Sequence, residues 1–205
     1  MKACNFASLD PVQRARNITA LGNVSRGDRE LWEQFHQNPE EVAAEAEAAY
    51  SRLTGTEAPP LEVELEIPDG ATDVLRLVRA RRVQGFFRAT VLASYEHRCA
   101  LSDVAISELL NVSHIIPWSD NTARRADPTN GIALNALYDR AFDRGLITLD
   151  DSLCVVVSRR LKIESVPTFQ QQTLIDIEGK QLRTPYRFAP DPVALAHHRG
   201  HIFSD

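Results

Sequence analysis

Leu109 to Thr148 reads LLNVSHIIPWSDNTARRADPTNGIALNALYDRAFDRGLIT, and this stretch decides the fold of the chain. It opens on an apolar run, Leu109, Leu110, Val112, Ile115 and Ile116, which predicts a strand with His114 near its end. A polar loop follows, carrying Pro117, Trp118, Arg124, Arg125 and Pro128. Asn130-Gly131 then turns the chain into a second short apolar run, Ile132 to Leu134. A helical pattern comes next: Leu137, Ala141 and Phe142 are apolar, Asp139 and Asp143 are four apart, and Gly145 stands where a helix would stop. Strand, loop, strand and helix make a unit small enough to hold one histidine above one metal ion.

These residue types suit phosphodiester hydrolysis, which needs a group to deprotonate water and a cation to stabilise charge on the phosphorane and the leaving oxygen. Histidine, with an unperturbed pKa near ~6.5, acts as a base at neutral pH with little tuning. Asp139 and Asp143 lie one helical turn apart, so their carboxylates share a face, and oxygen ligands suit a hard divalent cation. Asn130 can hydrogen-bond backbone across the loop and hold His114 in place. Taken alone, the same residues also describe a core histidine and a solvated helix face.

The order of the pieces carries more. Ser113-His114-Ile115-Ile116-Pro117-Trp118, then Asn130-Gly131-Ile132-Ala133-Leu134, then Asp139 and Phe142-Asp143-Arg144-Gly145-Leu146-Ile147, resembles the HNH endonuclease family, in particular its bacterial restriction-type branch. The resemblance extends upstream through Gln84-Gly85-Phe86-Phe87-Arg88 and Tyr95-Glu96-His97-Arg98-Cys99-Ala100-Leu101. It implies an α+β protein: a ββα-metal core with a helical N-terminal extension and additional β-hairpins. His114 matches the family's general base, Asn130 the residue that fixes the loop, and Asp139 the third motif position, expected to bind the metal. Asp143 matches a further ligand position, with a cap before Gly145 as its other reading. Ser113 departs from the family, whose members often carry a metal-binding Asp or His just before the base. The ion would then lean on water, backbone oxygen or substrate phosphate; oxygen-only ligands favour Mg²⁺ or Mn²⁺ over Zn²⁺. Trp118, Arg124 and Arg125 lie in the loop that faces DNA in this family, and Arg88 is either a phosphate contact or solvated.

Composition sets bounds on this reading. The chain has 205 residues, 43% of them hydrophobic, enough for a core in one domain or in one domain with a helical extension. No apolar run approaches the ~18 residues of a membrane span, and no signal-peptide pattern opens the chain. Cys4, Cys99 and Cys154 build neither a disulfide framework nor a Cys-x-x-Cys zinc knuckle, which points to a reduced cytoplasm. The net charge of −5 argues against wholesale wrapping of nucleic acid and leaves room for a local basic surface. Eleven acidic residues face one basic residue between Glu30 and Asp69, whereas Arg76 to Arg88 holds five arginines and no acid.

Outside the motif, Asp28 reads as a helix N-cap, with Leu31, Trp32, Phe35 and His36 following on one face. A second helix from Pro39 to about Leu53 is expected to bury Val42, Ala46, Ala49, Tyr50 and Leu53. Gly55 to Pro60 is the clearest linker, so residues 1–58 are expected to form a helical extension serving homodimerisation or DNA placement. Residues 61–205 are then the nuclease domain, with its core motif at 95–158. Leu61 to Ile67 alternates as a strand, and a helix is expected from about Arg79 or Val83 to Tyr95. His97 reads as structural. Leu146–Thr148 and Leu153–Val157 predict a hairpin, and Asp176–Leu182 an extended pair around Gly179. Asp191-Pro192 opens a terminal helix that Gly200 should break, with His197, His198 and His201 on the surface.

The reading is a cytoplasmic, metal-dependent DNA endonuclease of restriction or phage-defence type. Two other classes fit the same residues: a DNA-binding protein that keeps the fold without catalysis, Ser113 marking a weakened metal site, and a nuclease acting on RNA or single strands.

Overall fold

The computed structural model describes residue 9 and residues 24–55 and 71–205 of the chain, which divides into two compact units, 1–86 and 87–205. The expected strand at 61–67 and the expected domain boundary between 58 and 61 lie outside the described residues. No helix among the described residues is long and apolar enough to cross a membrane.

In the first unit, α1 (Arg26–Gln37) is capped three residues before the expected position. Ser25 is the N-cap: its hydroxyl accepts from the Asp28 N–H at 3.1 Å, and the Asp28 carboxylate accepts from the Ser25 N–H at 3.0 Å. Asp28 is therefore the reciprocal half of a capping box. Asn38 closes α1 and caps α2 (Pro39–Thr54), whose first residue is proline and whose C-cap Gly55 is left-handed at φ 67°. The buried stripe expected on α2 is displaced: Ala43 is fully buried, while Tyr50 and Leu53 are 60% and 87% exposed. The helix is so rich in alanine that its apolar face has no sharp period to read. Phe35 packs on Phe86, ring centroids 6.0 Å apart.

The third helix, α3 (Ala71–Ser94), begins well before the expected start at residue 79 or 83. Its C-terminal part belongs to the second unit, where Phe87, Val91 and Leu92 are buried in the core. Strand β1 (Leu110–His114) pairs antiparallel with β2 (Gly131–Asn135), in a register that sets Leu110 opposite Asn135 and His114 opposite Gly131. β2 is apolar along nearly its whole length because α3 and the helix that follows cover both its faces. Gly131 permits the approach of α3: a Cβ there would lie 2.7 Å from side-chain atoms of Phe87 and Val91. Helix α4 (Ala136–Asp143) follows β2 directly, with the Asn135 side chain accepting from the Tyr138 N–H at 2.9 Å as its N-cap.

β3 (Ile147–Leu149) and β4 (Val155–Val157) form the expected antiparallel hairpin. The extended pair expected around Gly179 is absent. After a helical turn at 168–175 the chain instead lays residues 179–182 along the open edge of β4, bonding to Val155 and Leu153 and bridging Gln181 to Cys154. An unpaired strand edge offers that backbone more partners than a two-residue hairpin would. The last helix, α5 (Pro192–His201), is capped by Asp191 as expected but runs on through Gly200. His198 is also not on the surface: it is 1% exposed and stacks on Phe142, with ring centroids 3.7 Å apart. The arrangement is mixed α+β, with two small two-stranded sheets among the described residues.

Candidate active site

β1 presents its residues alternately to two sides, and the two sides carry different chemistry. Asn111 and Ser113, two apart, meet the first turns of α4. The Ser113 hydroxyl donates to Asp139 Oδ1, and the Asn111 amide donates to Asp139 Oδ2 at 2.8 Å. Asp143 stands one turn further along α4. Partial withdrawal from solvent and the nearby Asp139 carboxylate push its carboxyl up to about 6, while Arg140 and Arg144 pull the other way. The two carboxylates are thus close enough to repel each other.

His114 projects from the other side of β1. Its half-buried ring stacks on Phe87, centroids 3.9 Å apart and planes 15° from parallel, and Trp118 meets it edge-on at 5.5 Å. Nε2 lies 3.1 Å from the Arg125 carbonyl oxygen. A carbonyl only accepts, so in the neutral ring Nε2 carries the proton and Nδ1 keeps its lone pair. Burial holds the imidazole below its ordinary range and the Arg125 cation adds to this; the Arg125 carbonyl and the Asp139 carboxylate oppose the shift without reversing it. The ring is accordingly neutral at pH 7, with Asp139 within electrostatic reach.

Asn130 is 1% exposed and staples the two ends of the loop between β1 and β2. Its Oδ1 accepts from the Ile116 N–H at 2.9 Å, and its Nδ2 donates to the Ile116 carbonyl at 3.1 Å and the Arg124 carbonyl at 3.4 Å. The remaining expected site residues divide by what they touch. Arg125 lies over the Trp118 ring at 4.9 Å and donates to the Trp118 carbonyl at 2.9 Å, both side chains half-buried. Arg124 turns inward, 2.8 Å from Asp127 and 2.6 Å from Asp191. Arg88 donates to the Leu110 carbonyl at 2.7 Å and so ties α3 to β1. His97 sits exposed in a left-handed turn, φ 53°. Cys99 and Cys154 are free thiols.

Asn111 is the site residue that sequence reasoning missed. The signal was its two-residue spacing from Ser113, which puts both on one face of β1. Among the described residues no three His, Cys, Asp or Glu side chains gather as a metal site. The donors at hand are two carboxylates, a hydroxyl and an amide, all offering oxygen. That set fits a small hard cation that keeps several waters and takes one or two carboxylates. The raised carboxyl of Asp143, pushed up by burial and by the neighbouring Asp139 carboxylate, is the electrostatic mark of a pair that a cation would relieve.

Residues 99–150 match the model of the HNH endonuclease family, a segment that contains β1, the loop, β2 and α4, and with them His114, Asn130, Asp139 and Asp143. No curated protein matches the chain. Among solved structures it is similar to a modification-dependent TagI restriction endonuclease, at 18% identity and a TM-score of 0.44, over 57% of this chain and 37% of that one.

Proposed function

We propose that the chain is a metal-dependent DNA endonuclease of restriction or phage-defence type, with a ββα-metal core formed by β1, β2 and α4. In this reading residues 61–205 are the nuclease domain and residues 1–58 a helical extension. His114 takes a proton from water at Nδ1 while its Nε2–H stays on the Arg125 carbonyl. The water oxygen bonds to phosphorus in line with the 3′ oxygen, whose bond to phosphorus breaks as it takes a proton from solvent. The products carry 5′-phosphate and 3′-hydroxyl ends. One divalent ion, Mg²⁺ or Mn²⁺, would be held by Asp139 and Asp143, and when bound it supplies positive charge against the phosphorane and the leaving oxygen. Asn130 holds the loop so that the carbonyl of Arg125 stays on His114, and Phe87 fixes the plane of the ring. Trp118 and Arg125 border the base and would meet the DNA backbone.

The observation that carries the reading is a neutral imidazole, one nitrogen committed and the other free, within electrostatic reach of the Asp139 carboxylate. The test is nicking of supercoiled plasmid with Mg²⁺ or Mn²⁺, with and without EDTA, alongside His114→Ala. Metal-dependent nicking by the parent and none by the variant is expected. A variant that cuts at the parent rate would remove His114 from the mechanism.

One observation favours a second reading. Both oxygens of Asp139 already accept from protein donors, as they would in a DNA-binding protein that keeps the fold without the chemistry. Such a protein retards DNA in a gel and leaves it intact. Competition by RNA and single strands in the same assay identifies the preferred nucleic acid.

A further inference from the structure

The loop arginines expected to meet DNA leave a gap in the electrostatics. Arg88 and Arg124 are tied to protein groups. Elsewhere in residues 87–205 most lysines and arginines are likewise held: Arg98 and Arg183 at Asp103, Arg159 on Asp205, Lys162 on Glu178, Arg199 on Asp151, and Arg187 over Tyr186. A site with two carboxylates facing a polyanion needs cations nearby, because phosphate neutralisation dominates nucleic-acid affinity.

Helix α4 supplies them. Arg140 and Arg144 each follow one of the two carboxylates, so the helix carries an arginine stripe about 100° round from its aspartate stripe. Both are exposed, and among the described residues neither donates to a protein group. Both act through space on Asp143, which places their charge at the carboxylate pair. Four residues of helix separate them by about 6 Å along the axis. Cations set along a line rather than converging on a point suit a strand of successive monoanions.

We propose that Arg140 and Arg144 form the phosphate-binding face of the site, contacting the nucleic-acid backbone beside the scissile position. This rests on the nuclease reading above and names the surface through which that site holds its substrate. Arg160 and Lys180 are the other uncommitted cations of 87–205, away from α4 in sequence, and serve as a control pair.

The test is fluorescence anisotropy of the full chain on a labelled DNA duplex of mixed sequence, in EDTA, across a salt series. With Arg140→Gln and Arg144→Gln combined, the slope of log affinity against log salt should fall by about 2, and by about 1 for either alone. The affinity lost between 50 and 200 mM salt then shrinks about 10-fold. Arg140→Lys with Arg144→Lys keeps the slope and shows that charge, not folding, is being read, while Arg160→Gln with Lys180→Gln leaves it unchanged. A parent-like slope in the double glutamine variant of a parent that nicks plasmid overturns the α4 assignment and leaves the nuclease reading standing. A parent that neither binds nor cuts nucleic acid overturns both.

Discussion

The side-chain amide of Asn111 donates to Asp139 Oδ2 at 2.8 Å, while Ser113, two residues on, donates to Oδ1. One strand face thus grips both oxygens of a helix carboxylate and fixes its plane, while each oxygen keeps a lone pair directed elsewhere. Groups that orient a ligand in this way typically contribute 10- to 100-fold in metal affinity. Asn111→Ala is expected to weaken Mn²⁺ binding by about 10-fold, read by calorimetry or by the Mn²⁺ EPR signal, and to slow nicking at low metal. Excess Mn²⁺ should restore the rate. Unchanged Mn²⁺ affinity would show that Asp139 is set by α4 alone.

The acid limb of the activity should belong to Asp143 rather than to the base. Burial holds His114 below its ordinary range. Asp143 is pushed up to about 6 by burial and by Asp139, and a protonated carboxyl is a poor ligand. Rate at limiting Mg²⁺ is therefore expected to fall as pH drops through about 6. Raising the metal concentration should move that midpoint down, because cation binding favours the ionised form. Asp143→Asn should lower metal affinity and abolish the limb. A midpoint indifferent to metal and to this substitution would reassign the limb to His114.

The parts legible in the chain were those whose partners lie close in sequence or whose pattern repeats. The apolar runs at 109–116 and 132–134, with Asn130-Gly131 at the turn into the second, lead directly to the paired strands, and Asp191-Pro192 to a capped helix. His114, Asn130 and Asp139 stood out through their order. What was hidden depends on distant partners. The Arg124-Arg125 pair reads as a loop feature facing DNA, yet Asp191, far along the chain, draws Arg124 inward. His198 sits among polar neighbours in sequence, and only Thr148 and Phe142, some fifty residues away, make its burial tolerable. The spacing of Asn111 from Ser113 puts both on one strand face, but its role shows only once a helix brings a carboxylate opposite it.

Gly131 offers a test of how the base is held. Its φ of −131° suits any residue, so the requirement for glycine is one of space alone. A Cβ would meet Phe87 and Val91 at 2.7 Å, and Phe87 is the ring beneath His114. Gly131→Ala should cost about 1–3 kcal/mol by overpacking, seen as a lower melting temperature. It should also cut kcat by more than it raises KM, since displacing Phe87 tilts the imidazole without touching the DNA face. Equal changes in both would point to a general loosening of the hairpin.

His198 predicts how stability follows pH. Its Nε2–H donates to the Phe142 carbonyl at 3.1 Å, and the Thr148 hydroxyl donates to Nδ1 at 2.9 Å, so the buried ring is satisfied only when neutral. Burial, opposed by the Phe142 carbonyl and reinforced by His197 and Arg199, brings its pKa down to about 4. Below the ordinary histidine value of 6.5 the unfolded chain takes up a proton that the native ring refuses until about 4. The contribution is therefore complete above 6.5 and drains away as pH falls toward about 4, to the order of 3 kcal/mol. Urea melts at pH 7.0 and 5.0 should show about 2 kcal/mol of that loss in the parent. In His198→Phe the stack on Phe142 remains but the titration is gone. That variant should be less stable at pH 7.0 by about 1–3 kcal/mol, for the unpaired Thr148 and Phe142 groups, and should lose distinctly less on acidification. The same acid loss in both proteins would mean that some other group, and not this ring, makes the fold acid-sensitive.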